Sequence, residues 1–69
     1  MIDPKIGKRI KAALKQKKMR QKELAAHLGM DYQQVTRAVN GRRPVYAQEL
    51  PRYAEALGVS MESLLGLGE

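Results

Sequence analysis

The sequence predicts an all-α fold, a compact bundle of five short helices, and three observations carry that expectation. Apolar residues recur at three- and four-residue spacings in five separate stretches, each bounded by helix start or stop signals. No stretch alternates apolar and polar residues with period two over a useful length, so no sheet is expected. Residues 21–40, QKELAAHLGMDYQQVTRAVN, hold two helical faces either side of Gly29, with a fresh start signal at Asp31.

The first helix is expected over about residues 4–17. Asp3 is its N-cap and Pro4 takes the first helical position, where a missing N–H costs nothing. Ile6, Ile10, Ala13 and Leu14 form one apolar stripe, and lysines occupy the remaining faces. The second helix, Gln21 to Leu28, stops at Gly29. The third begins after Asp31, with Gln34 three residues on in a capping-box pattern, and ends at Gly41 after Asn40. Ala25 stands where the two helices cross, and Val35 and Ala38 wedge the third helix onto the second. A basic loop from Arg42 to Tyr46 surrounds Pro44. The fourth helix then carries the stripe Leu50, Tyr53, Ala54 and Leu57 and closes at Gly58. Pro51 is tolerated only in a first turn, so regular helix is expected to begin as late as Leu50. The fifth helix starts at Ser60, carries Met61, Leu64 and Leu65, and ends at Gly66, leaving Leu67 to Glu69 as a frayed tail.

At 69 residues the chain is read as a single domain, near the lower size limit for a core without disulfides or metal. It has no cysteine and one histidine, so neither a disulfide framework nor a metal site is expected. No apolar run reaches the roughly 20 residues of a membrane span, and no signal-peptide core follows Met1. A soluble cytoplasmic protein with no membrane partner is expected. The formal charge of +6 is unevenly distributed. Residues 1–22 carry +8, residues 23–43 carry +1 and residues 44–69 carry −3. A domain basic at one end and acidic at the other is oriented by the field of a polyanion, so its basic end faces the partner.

With the elements placed, the chain resembles the phage repressor and Cro-type (XRE-like) helix-turn-helix family along nearly its whole length. The resemblance rests on IGKRIKAAL, QKELAAHLG, DYQQVTRAVNG and LPRYAEALGVSMESLL. It implies a lambda-repressor-like DNA-binding domain whose third helix enters the major groove and which binds operator DNA as a dimer. Two positions depart from the family pattern. An Arg late in the first helix and a Glu late in the third, which pair in many members, are matched here by Leu14 and Val39. A hydrophobic contact in place of the ion pair is implied, an exchange that is often neutral or stabilising. The small N-cap usual before the second helix is replaced by Arg20. That helix start is then left to Gln21 or to a bound phosphate.

Since Val35, Ala38 and Val39 occupy the buried face of the third helix, Tyr32, Gln33, Thr36 and Arg37 are left to face outward as candidate base readers. Arg can bridge O6 and N7 of guanine, Gln can bridge N6 and N7 of adenine, and the Thr methyl can meet that of thymine. Tyr32 can pack on a thymine methyl or donate to a phosphate. Gln34 is more suited to capping than to reading. By resemblance, Gln21 grips a phosphate with its amide and the start of the second helix. Asn40, Arg42 and Arg43 hold the backbone beside the third helix, and Arg20 joins this set. Such contacts fix register without reading sequence. For Asn40 with Gly41, a plain helix stop is an equal alternative. Most N-terminal lysines form a wet face, with two or three near phosphates. Met61, Leu64, Leu65 and Leu67 serve either a dimer contact or the core.

The function expected is a double-stranded-DNA-binding transcriptional regulator, an operator-binding repressor, acting as a homodimer that is weak or DNA-dependent. Alternatives are a protein-docking module or the DNA-binding part of a larger regulator such as an antitoxin. An enzyme is not expected, since acidic residues are scattered and there is neither a histidine pair nor a glycine-rich phosphate loop. No cofactor is implied. A membrane-surface role for the first helix is disfavoured because its apolar stripe lacks Trp and Phe and is needed for the core.

Overall fold

The computed structural model describes residues 5–66 and places five helices in them: α1 (Lys5–Gln16), α2 (Gln21–Leu28), α3 (Tyr32–Val39), α4 (Leu50–Leu57) and α5 (Met61–Leu65). The Asp3 cap, Pro4 and Leu67 lie outside the described residues. No strand occurs among those described. α1 packs against α3, α4 and α5, α2 against α3 and α4, and α4 against α5. The first four predicted stripes and Leu64 of the fifth meet in one core, where Ile10, Leu24, Val35, Tyr53, Leu57 and Leu64 are essentially inaccessible to solvent, while Leu65 is half-buried and Met61 exposed. Val45, in the loop before α4, is also buried, and no periodic pattern marked it. Leu14 and Val39 are both buried in this core, as the substitution of the family ion pair implies.

α1 ends one residue earlier than expected, through a turn that no glycine announces. The Met19 N–H bonds to the Leu14 carbonyl at 2.9 Å and the Lys18 N–H to Lys15 at 3.2 Å, a Schellman closure with Lys18 at φ 54°. A side chain in this left-handed region costs roughly 1 kcal/mol that glycine avoids. Lys18→Gly is therefore expected to raise stability by about 1 kcal/mol and the melting temperature by roughly 4–8 °C. Thermal unfolding followed by circular dichroism checks this, and an unchanged or lower midpoint refutes it.

The turn between α2 and α3 is built as predicted. Gly29 takes φ 67° and ψ 29°, and the Met30 N–H returns to the Ala25 carbonyl at 3.0 Å. Two interactions brace the turn from α4. The Arg52 guanidinium donates to the Leu28 carbonyl at 2.5 Å, a cation at the negative end of α2. The Tyr53 hydroxyl donates to the Met30 sulfur at 3.9 Å, and burial pushes this phenol's pKa up. The helix-turn-helix is thus held by α4 as well as by its own apolar seam. α4 starts at Leu50 with Pro51 in its first turn, and α4 and α5 stop at Gly58 and Gly66, all as the sequence predicts.

Candidate DNA interface

α3 turns Val35, Ala38 and Val39 inward, which leaves Tyr32, Gln33 and Arg37 exposed on the opposite side and Gln34 and Thr36 half-buried at its edges. Asp31 caps the helix: its carboxylate accepts from the Gln33 N–H over a long 3.5 Å, and its carbonyl accepts from Gln34 at 3.0 Å. Asp31 thus caps through the second residue of the helix and not the third, and the predicted capping box with Gln34 does not occur among the described hydrogen bonds.

Around this face the start of α2 contributes Arg20, Gln21, Lys22 and Glu23. Arg20 has no side-chain acceptor to offer the helix. Glu23 instead accepts from the Arg20 N–H at 3.3 Å, which secures the start of α2. Sequence reasoning missed Glu23, although a glutamate three residues after a cap position was the available signal. Gln21 is half-buried, and its Oε1 accepts from the Thr36 hydroxyl at 3.0 Å, joining the start of α2 to the middle of α3. The Lys22 ammonium lies 5.6 Å from the centre of the Tyr32 ring, a cation–π contact at a solvent-facing site. Arg20, Gln21, Lys22 and Tyr32 together line a shallow hollow beside α3.

At the other end of α3, Asn40 is exposed, and Gly41 follows. Both lie beside Lys8 and Lys11 of α1, which with Val39 line a second shallow hollow. This places two of the nine basic residues in the N-terminal third next to the end of α3. The loop then folds back on α3, since the Arg42 and Arg43 N–H groups both bond to the Arg37 carbonyl, at 2.8 and 3.2 Å.

The two loop arginines have different surroundings. Arg42 is exposed. Arg43 makes a two-pronged ion pair with Glu49, Nη1 to Oε1 at 3.1 Å and Nη2 to Oε2 at 3.2 Å, and also donates to the Pro44 carbonyl. The same Glu49 carboxylate accepts from the Tyr46 N–H at 3.1 Å, and the guanidinium lies 5.9 Å from the Tyr46 ring centre. The loop from Arg43 to Glu49 is therefore clasped. No local pattern announces a pair six residues apart in an irregular loop, and sequence reasoning missed Glu49.

Burial pulls the Glu49 carboxyl upward in pKa, but the hydrogen bonds from Arg43 and the Tyr46 N–H, with the nearby positive charge, outweigh it and hold it below the ordinary carboxylate range. A depressed folded-state pKa contributes stability that is present above the unfolded value and lost as pH falls through the folded value. Wild type is thus expected to exceed Glu49→Gln in stability at neutral pH, with the difference shrinking in acid below the ordinary carboxylate pKa. Urea unfolding at a series of pH values checks this, and a constant difference refutes it.

His27 is exposed near the end of α2. Among the described residues no three His, Cys, Asp or Glu side chains are arranged to hold a metal, and no helix is long and apolar enough to cross a membrane.

The comparisons with known proteins agree with this geometry. No curated protein matches the chain. Among solved structures, the chain is similar to the restriction-modification controller protein C.AhdI from Aeromonas hydrophila, at 28% identity and a TM-score of 0.81, over 87% of this chain and 91% of that one. A sequence model of the helix-turn-helix family matches residues 10–64, from within α1 to within α5. The protein belongs to the helix-turn-helix family, in its phage repressor and Cro-type branch.

Proposed function

We propose that this sequence-specific DNA-binding regulator is an operator-binding repressor that seats α3 in the major groove and acts as a homodimer on two-fold-related half-sites. The observation that carries the reading is the division of α3 into a buried apolar side and an exposed side presenting Tyr32, Gln33 and Arg37. Arg37 and Gln33 supply paired contacts to purine edges, and the Thr36 methyl and Tyr32 ring supply apolar contacts to thymine. Gln21, Arg20 and Asn40 line the hollows at the two ends of α3, and Arg42 follows in the loop bonded back to Arg37; all four suit phosphate contacts, with Lys8 and Lys11 beside Asn40. Arg43, its charge balanced by Glu49, holds the loop that carries Arg42 beside this set. Met61, exposed on α5, suits a contact between protomers. The protein works in the cytoplasm, bound to DNA, without cofactor or catalysis. The likeness to a controller protein over most of both chains favours control of restriction-modification genes as a second, narrower reading. A docking module is disfavoured, because Tyr32 is the one large apolar group exposed on α3 and stands among polar and charged side chains, not in a cluster of anchors.

Titration of a mixed-sequence duplex across a range of salt concentrations tests the reading. With about four phosphates neutralised per protomer, a dimer gives a log–log slope near −7. Arg42→Ala is expected to reduce the slope by about 1 per protomer and to weaken binding evenly across sequences. Absence of duplex binding at low salt overturns the DNA-binding reading. An unchanged slope in Arg42→Ala removes Arg42 from the phosphate contacts.

A further inference from the structure

The Thr36–Gln21 hydrogen bond joins two residues on different helices, and both belong to the proposed interface. Gln21 is the first residue of α2, in the turn whose backbone N–H groups lack helical acceptors. Thr36 lies half-buried on α3, one residue before the exposed Arg37. Their side chains meet at 3.0 Å in a partly buried position, with the hydroxyl as donor and the amide oxygen as acceptor.

The direction of that bond matters for an anion. A glutamine amide carries an acceptor on one branch and two donors on the other, and its terminal torsion is broad and roughly two-fold. An unrestrained amide must give up this torsional freedom to turn its nitrogen, rather than its repelled oxygen, toward a phosphate. The Thr36 hydroxyl occupies Oε1 and so leaves Nε2 as the branch available to a phosphate at the start of α2. Because the restraint comes from α3 itself, the group that grips the backbone is registered against the helix that reads the bases.

We infer that Thr36 is a positioning residue for DNA binding, whose hydroxyl holds the Gln21 amide oxygen so that the amide nitrogen is presented to a backbone phosphate. This rests on the DNA-binding reading, and it assigns the Thr36 hydroxyl a role distinct from contact between its methyl and a base. It also predicts that the two side chains act as one unit on a single phosphate.

The test uses the duplex that wild-type protein selects from a random pool, made as a series in which one phosphate at a time is replaced by an uncharged methylphosphonate. Wild type is expected to bind more weakly when one particular phosphate is replaced, a replacement that Gln21→Ala ignores, and this locates the Gln21 contact. Thr36→Val, close in shape but without the hydroxyl, is expected to bind the unmodified duplex about fivefold more weakly, the scale of one hydrogen bond, and to become insensitive at that same phosphate. Adding Gln21→Ala to Thr36→Val then has little further effect, and Thr36→Ser, which keeps the hydroxyl, restores the sensitivity. A merely structural role for Thr36 lowers the melting temperature but leaves the phosphate map unchanged. If Thr36→Val keeps the wild-type map, or if its defect is confined to one base pair, the positioning role is overturned while the DNA-binding reading stands. If wild type selects no duplex at all, the DNA-binding reading fails and the inference with it.

Discussion

Gly7→Val is expected to lower stability by about 3 kcal/mol, at the upper end of what overpacking a tight contact costs. Gly7 lies on the buried side of α1, against the last turn of α3. A Cβ placed there stands 2.6 Å from the Ala38 carbonyl oxygen and 2.8 Å from that of Val39. Both obstacles are backbone, so no side chain can swing aside. Either α1 or the end of α3 must move. The gain in helix propensity over glycine is only a fraction of 1 kcal/mol for valine and about 1 kcal/mol for alanine, too little to reverse the sign for valine. A chain of this size holds roughly 3–10 kcal/mol in total, so the substitution removes a large share of it. Gly7→Ala is expected to be milder in stability yet visible in binding, because the displaced segment leads directly into Asn40 and the hollow it shares with Lys8 and Lys11. Urea unfolding measures the first effect and duplex titration the second. A wild-type midpoint in Gly7→Val would show that the helices do not approach this closely.

Arg37→Ala is expected to reduce discrimination at one base pair of each half-site by about 5- to 150-fold, since a paired base contact is worth roughly 1–3 kcal/mol. Arg37 is exposed in the last turn of α3, and its own carbonyl anchors the return of the loop through the Arg42 and Arg43 N–H groups. The side chain is thus exposed while its backbone is fixed. The substitution leaves that backbone anchor and the apolar side of α3 intact, so melting is expected to stay near wild type. Its effect separates from that of Arg42→Ala by pattern: removing a phosphate ligand weakens binding to all sequences alike, whereas removing a base reader levels the preference at one position. Comparing affinities for the selected site and for its single-base-pair variants distinguishes the two. Equal weakening on every sequence would place Arg37 on the backbone instead.

Much of this arrangement was legible in the sequence because it is local. Helix stripes, the stops at Gly29, Gly58 and Gly66, and the late start of α4 at Leu50, just before Pro51, all depend on neighbours within a few residues. The exposed side of α3 followed by elimination once Val35, Ala38 and Val39 were given to the core. What escaped depends on three-dimensional proximity without a periodic trace. Gly7 reads as an ordinary weak point in α1 until the α3 carbonyls are seen beside it. Arg43 reads as a free cation until Glu49 is found to clasp it, and Arg52 shows its purpose only where α4 meets the end of α2. Thr36 stands among the candidate readers by helical position, but its hydroxyl bond to Gln21 arises from how α2 and α3 cross. Lys18 closes α1 in a conformation usually signalled by glycine, so the composition at that turn pointed elsewhere.

The central claim, that α3 of a paired protein reads operator bases, is tested most directly by selecting bound duplexes from a random pool at roughly physiological salt and sequencing them, with wild type and Arg37→Ala in parallel. Wild type is expected to enrich a two-fold-related site with half-sites about one helical turn apart, and Arg37→Ala to enrich the same site with no preference at one base pair per half. No enrichment by wild type, or an identical sequence preference in Arg37→Ala, would contradict it.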